Sequence, residues 1–155
     1  MLQQSKKALN FCALLTNLKG QSHMHTLTYR KIVRLSGLYD FVFTLPFVTP
    51  WTFQMLNQVL NEVSPTPAFE PIHVVFVNLF GSIVIVWSIL RIRSPKAIYG
   101  AYDAASRLLF FTWFMTYLLT SDFHPAILIF GLLEIIWFIV QGYGFWKLPK
   151  SERYL

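Results

Sequence analysis

This chain contains a single cysteine, Cys12, among its 155 residues. A single cysteine excludes a disulfide within the chain, a metal site built on cysteines and a dithiol redox pair. The sequence also lacks an H-E-x-x-H zinc motif, a glycine-rich phosphate loop and the nucleophile elbow of hydrolases. It therefore predicts no cofactor and no metal site, and it assigns no catalytic residue.

Charge is also scarce. Charged residues make up 13% of the chain, against about 25% in a typical soluble domain. The formal net charge is +6, but the basic residues form no stripe interleaved with aromatic residues on a polar domain. Nucleic acid is therefore not an expected partner, and the expected surroundings are a lipid bilayer.

Long apolar runs take the place of the missing charge. A run of roughly 20 mostly apolar residues can cross a bilayer as a helix. Four runs approach that length, at 35–51, 72–90, 104–120 and 125–143. They predict an all-α polytopic membrane protein with four transmembrane helices, arranged as two tandem hairpins.

The basic residues predict the orientation of these spans. The loops 52–71 and 121–124 contain no Lys or Arg, and all 13 lie in or beside the other connections and the two ends. Because positive charge stays in the cytoplasm, both termini are expected there, in a cell membrane such as the bacterial inner membrane. The membrane domain then covers 32–146, between a cytoplasmic segment 1–31 and a cytoplasmic tail 147–155.

The first 23 residues fit neither a span nor a targeting signal. Their apolar part, 9–18, is interrupted by three polar residues, and no small-residue cleavage site follows it. Two interpretations stay open. The segment forms an amphipathic helix on the inner membrane surface, or the natural start is Met24.

The first outer loop has a pattern of its own. Apolar residues recur at helical spacing within 52–63, opposite a polar face, and Thr52 is placed to cap such a helix. We expect a short amphipathic helix that lies on the outer membrane surface or covers the bundle. Its apolar face would comprise Met55, Leu56, Val59, Leu60 and Val63.

Two short sequences occur twice. Gly37–Asp40 is GLYD and Gly100–Asp103 is GAYD, while Leu79–Trp87 and Ile129–Trp137 share Phe, Gly and Trp in register. The pattern indicates an internal repeat of one hairpin, with the two copies parallel about an axis along the membrane normal. The alternative is chance, because short apolar alignments arise easily.

Both aspartates of the repeat are expected at the cytoplasmic end of their spans, with Asp40 roughly 9 Å past Arg34 and well inside the inner leaflet. Asp103 and Arg107 are four residues apart, so they share a helix face and can pair. Together with Asp40 and Arg34 they predict a cytoplasmic charged clasp between the first and third spans. A structural role is favoured for this clasp, and a gate for a substrate or ion is the alternative.

Glu134 is the acid that the repeat does not explain, since its counterpart is Val84. It lies about nine residues, roughly 13 Å, from the outer end of the fourth run, close to the bilayer midplane. No basic residue is expected at that depth, so Glu134 should be largely protonated at neutral pH. It is the candidate functional acid, or otherwise an interhelical hydrogen-bond bridge. A polar layer is expected near it, formed by Thr44, Ser82, Thr112 and Thr116.

The outer edge carries a further polar set, Glu70 and His73 before the second span and Asp122 and His124 before the fourth. These groups could bind a divalent metal or relay a proton. Helix capping and interfacial placement are the favoured roles, because the spacing is not diagnostic of a metal site.

Small loops and sparse polar chemistry favour a membrane scaffold or accessory subunit. One alternative is a proton-coupled transporter of a small or lipophilic solute that uses Glu134, and a second is a membrane enzyme acting on a lipophilic substrate. A homodimer or a membrane partner protein fits each of these roles.

Overall fold

The computed structural model describes residues 26–63, 65, 68–120 and 126–154. Within these ranges the chain is helical and contains no strand, so the predicted all-α class is confirmed. The proposed start at Met24, the alternative surface helix and Cys12 lie outside the described residues.

Five α-helices form in the described ranges, joined by short connections: α1 (26–44), α2 (Pro50–Val63), α3 (Pro71–Arg93), α4 (Ala97–Thr120) and α5 (Ala126–Lys147). Two single turns of 3-10 helix accompany them, Leu45–Phe47 after α1 and Lys150–Glu152 after α5.

The helices α3 and α5 are long and apolar enough to cross a membrane, and α1 with α2 makes a third crossing if that bent pair is one span. These apolar helices fit the predicted membrane class. The helix α4 is as long, with 24 residues, but it carries Asp103 and Arg107 in its first half.

The first helix ends earlier than its apolar run predicts. Pro46 lies in the 3-10 turn, and Pro50 is the first residue of α2. Proline cannot continue a helix because it lacks an N–H group and its ring clashes with the preceding turn. The chain therefore bends by 91° between α1 and α2, and no single helix covers 35–51.

The amphipathic helix predicted within 52–63 is present as α2, although its cap and its faces differ from the prediction. Thr49, and not Thr52, is the capping residue, because its Oγ1 accepts a hydrogen bond from the Thr52 backbone N–H at 3.2 Å. Phe53 is the buried residue of α2 and packs edge to face on Phe69, with ring centroids 5.0 Å apart. Leu60 also faces inward, where it lines an interior cavity.

Most of the remaining predicted apolar face of α2 points away from the bundle, whereas Leu56 is half-buried. The side chains that are more than half exposed are three members of the predicted face, Met55, Val59 and Val63, and the neighbouring Trp51. Such an apolar ridge is suited to contact with lipid rather than water.

At the opposite end of the bundle, α1 packs closely on α4 and α5 through glycine. A Cβ atom at Gly100 would lie 2.4 Å from Tyr29 Oη, and one at Gly144 would lie 2.7 Å from the Tyr29 ring. Tyr29, Val33, Ala97 and Leu148 form a buried apolar core there. Small residues permit this close approach of membrane helices.

The helix α3 packs on the turn that follows α1. A Cβ atom at Gly81 would lie 2.6 Å from the Phe47 carbonyl oxygen, and Asn78 Nδ2 donates to that same oxygen at 2.9 Å. At the start of α3, His73 Nδ1 accepts a hydrogen bond from the Glu70 backbone N–H at 3.2 Å. Glu70 and His73 thus take part in capping, whereas Asp122 and His124 lie outside the described residues.

Candidate functional site

Five ionisable side chains from four helices meet inside the bundle. They are Asp40 of α1, Arg91 of α3, Asp103 and Arg107 of α4, and Glu134 of α5, and they are called the charged cluster below. The arginine side chains are at most 2% exposed and the carboxylates at most 14%. Charges withdrawn from solvent to this degree are stable only when they are paired and hydrogen-bonded.

Arg107 contacts every carboxylate of the cluster. Its Nε donates to Asp103 Oδ2 at 3.0 Å, its Nη1 donates to Glu134 Oε2 at 2.9 Å, and its Nη2 donates to both oxygens of Asp40 at 2.8 Å. The rigid fork of donors on a guanidinium makes this three-way pairing possible. The guanidinium also lies over the rings of Tyr39 and Trp137, at 5.6 and 5.5 Å from their centroids.

Arg91 is the second cation and links the two aspartates. Its Nη1 donates to Asp103 Oδ2 and its Nη2 donates to Asp40 Oδ2. Its guanidinium lies 5.6 Å from the centroid of the Trp87 ring. Arg91 stands in the last turn of α3, where a cation also interacts favourably with the helix dipole.

Asp103 accepts the largest set of hydrogen bonds. Besides the two arginines, Ser36 Oγ donates to Oδ2 at 3.1 Å, Gln141 Nε2 donates to Oδ2 at 2.8 Å, and Trp87 Nε1 donates to Oδ1 at 3.1 Å. Ser36 and Gln141 are fully buried. The hydrogen bonds accepted by the Asp103 carboxylate therefore connect α1, α3, α4 and α5.

Three of the four residues predicted for the cytoplasmic clasp come together, namely Asp40, Asp103 and Arg107. The inclusion of Arg34 is wrong: it is exposed, and its Nε donates to the Ile92 carbonyl at 3.2 Å. Arg34 and Asp40 are six residues apart on α1 and point to different sides of it, because neighbours on one helix face are three or four residues apart. Arg91 supplies the second cation instead.

The expectation that Glu134 lacks a basic partner is also wrong. The helix α4 begins at Ala97, seven residues before the predicted start of its span. Arg107 therefore lies ten residues, roughly 15 Å, along α4, and its long side chain reaches Glu134 at 2.9 Å. Protonation of Glu134 was predicted because no basic residue was expected near it, and the ion pair with Arg107 removes that reason.

The predicted polar layer around Glu134 does not assemble. Thr44 lines the same cavity as Glu134. Thr112 and Thr116 are exposed, and their hydroxyls donate to the carbonyls of Leu108 and Thr112 on their own helix. Ser82 is exposed as well. A threonine in a helix commonly satisfies its hydroxyl in this way when no polar neighbour is in reach.

Sequence reasoning missed Arg91, Ser36 and Gln141 as members of the site. One signal was present: at the repeat spacing of 50 residues, Gln141 is the counterpart of Arg91. Both side chains donate to the same oxygen of Asp103. A second signal is that Trp87 and Arg91 are four residues apart, so they share the face of α3 that meets Asp103.

A cavity of about 1130 Å³ lies between the charged cluster and α2. Asp40, Asp103, Arg107 and Glu134 line one end of it, and Phe53, Asn57 and Leu60 of α2 line the other. Among the described residues 25 line the cavity, and 11 of these are Phe, Tyr or Trp. Ligand sites in proteins share this character, a largely apolar wall with a few convergent polar groups.

The cavity is open to the surface of the protein, and its exposed lining includes residues of α3 and α4. Ile83 and Tyr102 both line it and are 70% and 62% exposed at the surface of the bundle. Long side chains also connect α3 to α4. Phe80 of α3 packs against Phe110 of α4, with ring centroids 5.7 Å apart. Trp87 Nε1 of α3 donates a hydrogen bond to Asp103 Oδ1 of α4 at 3.1 Å.

Among the described residues, no group of three or more His, Cys, Asp and Glu is arranged to hold a metal ion. In comparisons with protein-family models, curated proteins and solved structures, no match to this chain was found.

Proposed function

We propose that this protein binds a lipophilic molecule within the membrane, in the aromatic cavity above the charged cluster. The cavity itself carries the proposal. A volume of about 1130 Å³ with polar groups at one end suits a ligand, whereas a scaffold or accessory role does not call for such a volume. Binding is the step that the transporter and enzyme alternatives have in common.

The position of the opening supports entry from the bilayer. Ile83 and Tyr102 border the cavity at the outer surface of α3 and α4, where the neighbouring molecules are lipid chains. A lipophilic solute is already concentrated there by the hydrophobic effect, so it reaches the cavity without crossing water.

The arrangement that we propose for this function has four spans, α1, α3, α4 and α5, in two tandem hairpins with both termini cytoplasmic. The pairing of Asp103 and Arg107 supports α4 as a span, because intramembrane charges that pair inside a bundle are tolerated. The shared use of Asp103 by Arg91 and its repeat counterpart Gln141 supports the internal repeat.

The topology is tested with single cysteines in a variant that carries Cys12→Ser. A membrane-impermeant maleimide added to intact cells should label Gln58→Cys in α2, and should label Ser94→Cys and Ser151→Cys only after the cells are permeabilised. Labelling of Ser94→Cys in intact cells would contradict the proposed arrangement.

Ligand binding is tested with a neutral probe, a long-chain alcohol bearing a diazirine, on purified protein in phosphatidylcholine nanodiscs. After illumination, mass spectrometry should find label on the peptides that contain Phe110 and Phe130, which line the cavity. Excess unlabelled alcohol should compete with this labelling, because a site of fixed volume saturates.

A matched pair of valines on α3 provides the control. Val84 lines the cavity, whereas Val86 is 68% exposed and is not part of the lining. Val84→Trp should occupy part of the cavity and weaken competable labelling, and Val86→Trp should leave the labelling unchanged. If both variants label as the original protein does, or if labelling never saturates, the cavity is not a binding site.

A further inference from the structure

The charged cluster contains one more carboxylate than it has cations. Asp40, Asp103 and Glu134 carry three formal negative charges, and Arg91 and Arg107 carry two positive ones. No other Lys or Arg in the described part of the chain pairs with these carboxylates. With every group ionised, the cluster therefore has a formal charge of −1.

The unbalanced charge can be placed on one residue. Asp103 accepts hydrogen bonds from five side chains, and Asp40 is bonded through both of its oxygens to the two arginines. Glu134 makes a single hydrogen bond, through Oε2 to Arg107. Its Oε1 accepts none from the described residues, and Glu134 lines the cavity.

The aromatic lining of the cavity also suits a cation. The cavity is lined by the rings of Phe43, Phe110 and Phe130, and the face of an aromatic ring attracts an ammonium group through its quadrupole. The same attraction is already used in the cluster, where the Arg107 guanidinium lies over Tyr39 and Trp137. An excess carboxylate with aromatic walls is a combination that recognises alkylammonium groups.

We infer that the ligand of this cavity is a cationic amphiphile, a lipophilic chain or ring system with one ammonium group that pairs with Glu134 Oε1. This inference rests on the proposed function, because it names the chemical class of the molecule that occupies the same cavity. The ammonium restores neutrality to the charged cluster, and the apolar part of the ligand lies against the aromatic wall towards α2.

The test compares two photoreactive probes with the same diazirine-bearing chain, one ending in a hydroxyl and the other in a trimethylammonium group. Both are titrated against the protein in phosphatidylcholine nanodiscs, whose lipids carry no net charge and do not concentrate the cation. The ammonium probe should reach half-maximal competable labelling at a roughly tenfold lower concentration than the alcohol.

Glu134→Gln should remove this preference and retain saturable labelling by the alcohol, since glutamine has nearly the same size. Glu62→Gln is the matched control, because Glu62 lies on the exposed face of α2, and it should keep the preference. If Glu134→Gln does not yield folded protein, the two-probe comparison on the original protein decides alone.

The outcomes separate the inference from the proposed function. Saturable labelling by both probes at equal concentrations overturns the inference and leaves ligand binding intact. Saturable labelling by neither probe overturns both. If Glu134→Gln prefers the ammonium probe as strongly as the original protein does, Glu134 is not the residue that pairs with the ammonium group.

Discussion

Replacement of Arg107 by methionine is expected to lower the unfolding temperature of the purified protein by roughly 10 °C. Arg107 holds Asp40, Asp103 and Glu134, and its removal leaves Asp40 and Asp103 with Arg91 alone and Glu134 without a cation. Breaking a buried ion pair by removing one partner costs about 3–5 kcal/mol, and in a chain of this size each kcal/mol lowers the unfolding temperature by roughly 2–4 °C. Circular dichroism in detergent measures the shift.

Arg34→Met is the matched control, because it deletes the same charge from an exposed residue of α1. It should change the unfolding temperature by no more than about 2 °C. The double variant Arg107→Met with Glu134→Gln should be less destabilised than the sum of its single variants, since one unpaired charge is removed along with its partner. The charged cluster as described would be contradicted if the destabilisation of the double variant equalled the sum for its single variants. It would also be contradicted if Arg107→Met and Arg34→Met lowered the unfolding temperature equally.

Gly81→Ala is the second substitution with a large expected effect. The added methyl group would lie 2.6 Å from the Phe47 carbonyl oxygen and 2.7 Å from its carbonyl carbon. These are backbone atoms, so the contact is relieved only by moving the 3-10 turn and α2 away from α3. Overpacking of this kind costs about 1–3 kcal/mol, and Asn78 would also lose its hydrogen bond to Phe47.

Gly142→Ala is the comparison for this variant, because the nearest atom to its added methyl group is 4.0 Å away. Alanine is favoured over glycine in a helix by about 1 kcal/mol, so Gly142→Ala should leave stability unchanged or raise it. The unfolding temperatures of the two variants are compared. Faster hydrogen exchange of the α2 amides in Gly81→Ala would report the displacement of the 3-10 turn and α2. A Gly81→Ala protein as stable as Gly142→Ala would refute the close contact of α3 with Phe47.

The sequence could predict the helices because long apolar runs have few alternatives to a helix in lipid. It could also predict the Asp103 and Arg107 pair, which depends only on a spacing of four within one helix. It could not predict that Arg91 replaces Arg34, since that choice depends on how α1 and α3 are rotated against each other. Rotation is set by close contacts such as Gly37 against Ser88 and Arg91, which no local pattern records.

Errors in helix ends had the largest consequences for the site. A start at residue 104 puts Arg107 roughly 5 Å into α4, whereas the observed start at Ala97 puts it roughly 15 Å in, within reach of Glu134. The cavity was beyond sequence reasoning altogether. An aromatic side chain that lines an interior space and one that faces lipid have the same hydropathy.

The bend at Pro46 and Pro50 also affects the bilayer. After Arg34, α1 and its terminal turn continue for 13 residues, from 35 to 47, which is roughly 20 Å against a hydrocarbon core of ~30 Å. In the proposed four-span arrangement this is a hydrophobic mismatch at α1, beside the full-length α5. Because a short span is accommodated by local thinning of the bilayer, the protein should deform the outer leaflet around α2. Its exposed ridge of Trp51, Met55, Val59 and Val63 would then meet acyl chains there, so the protein is best matched to a thin membrane.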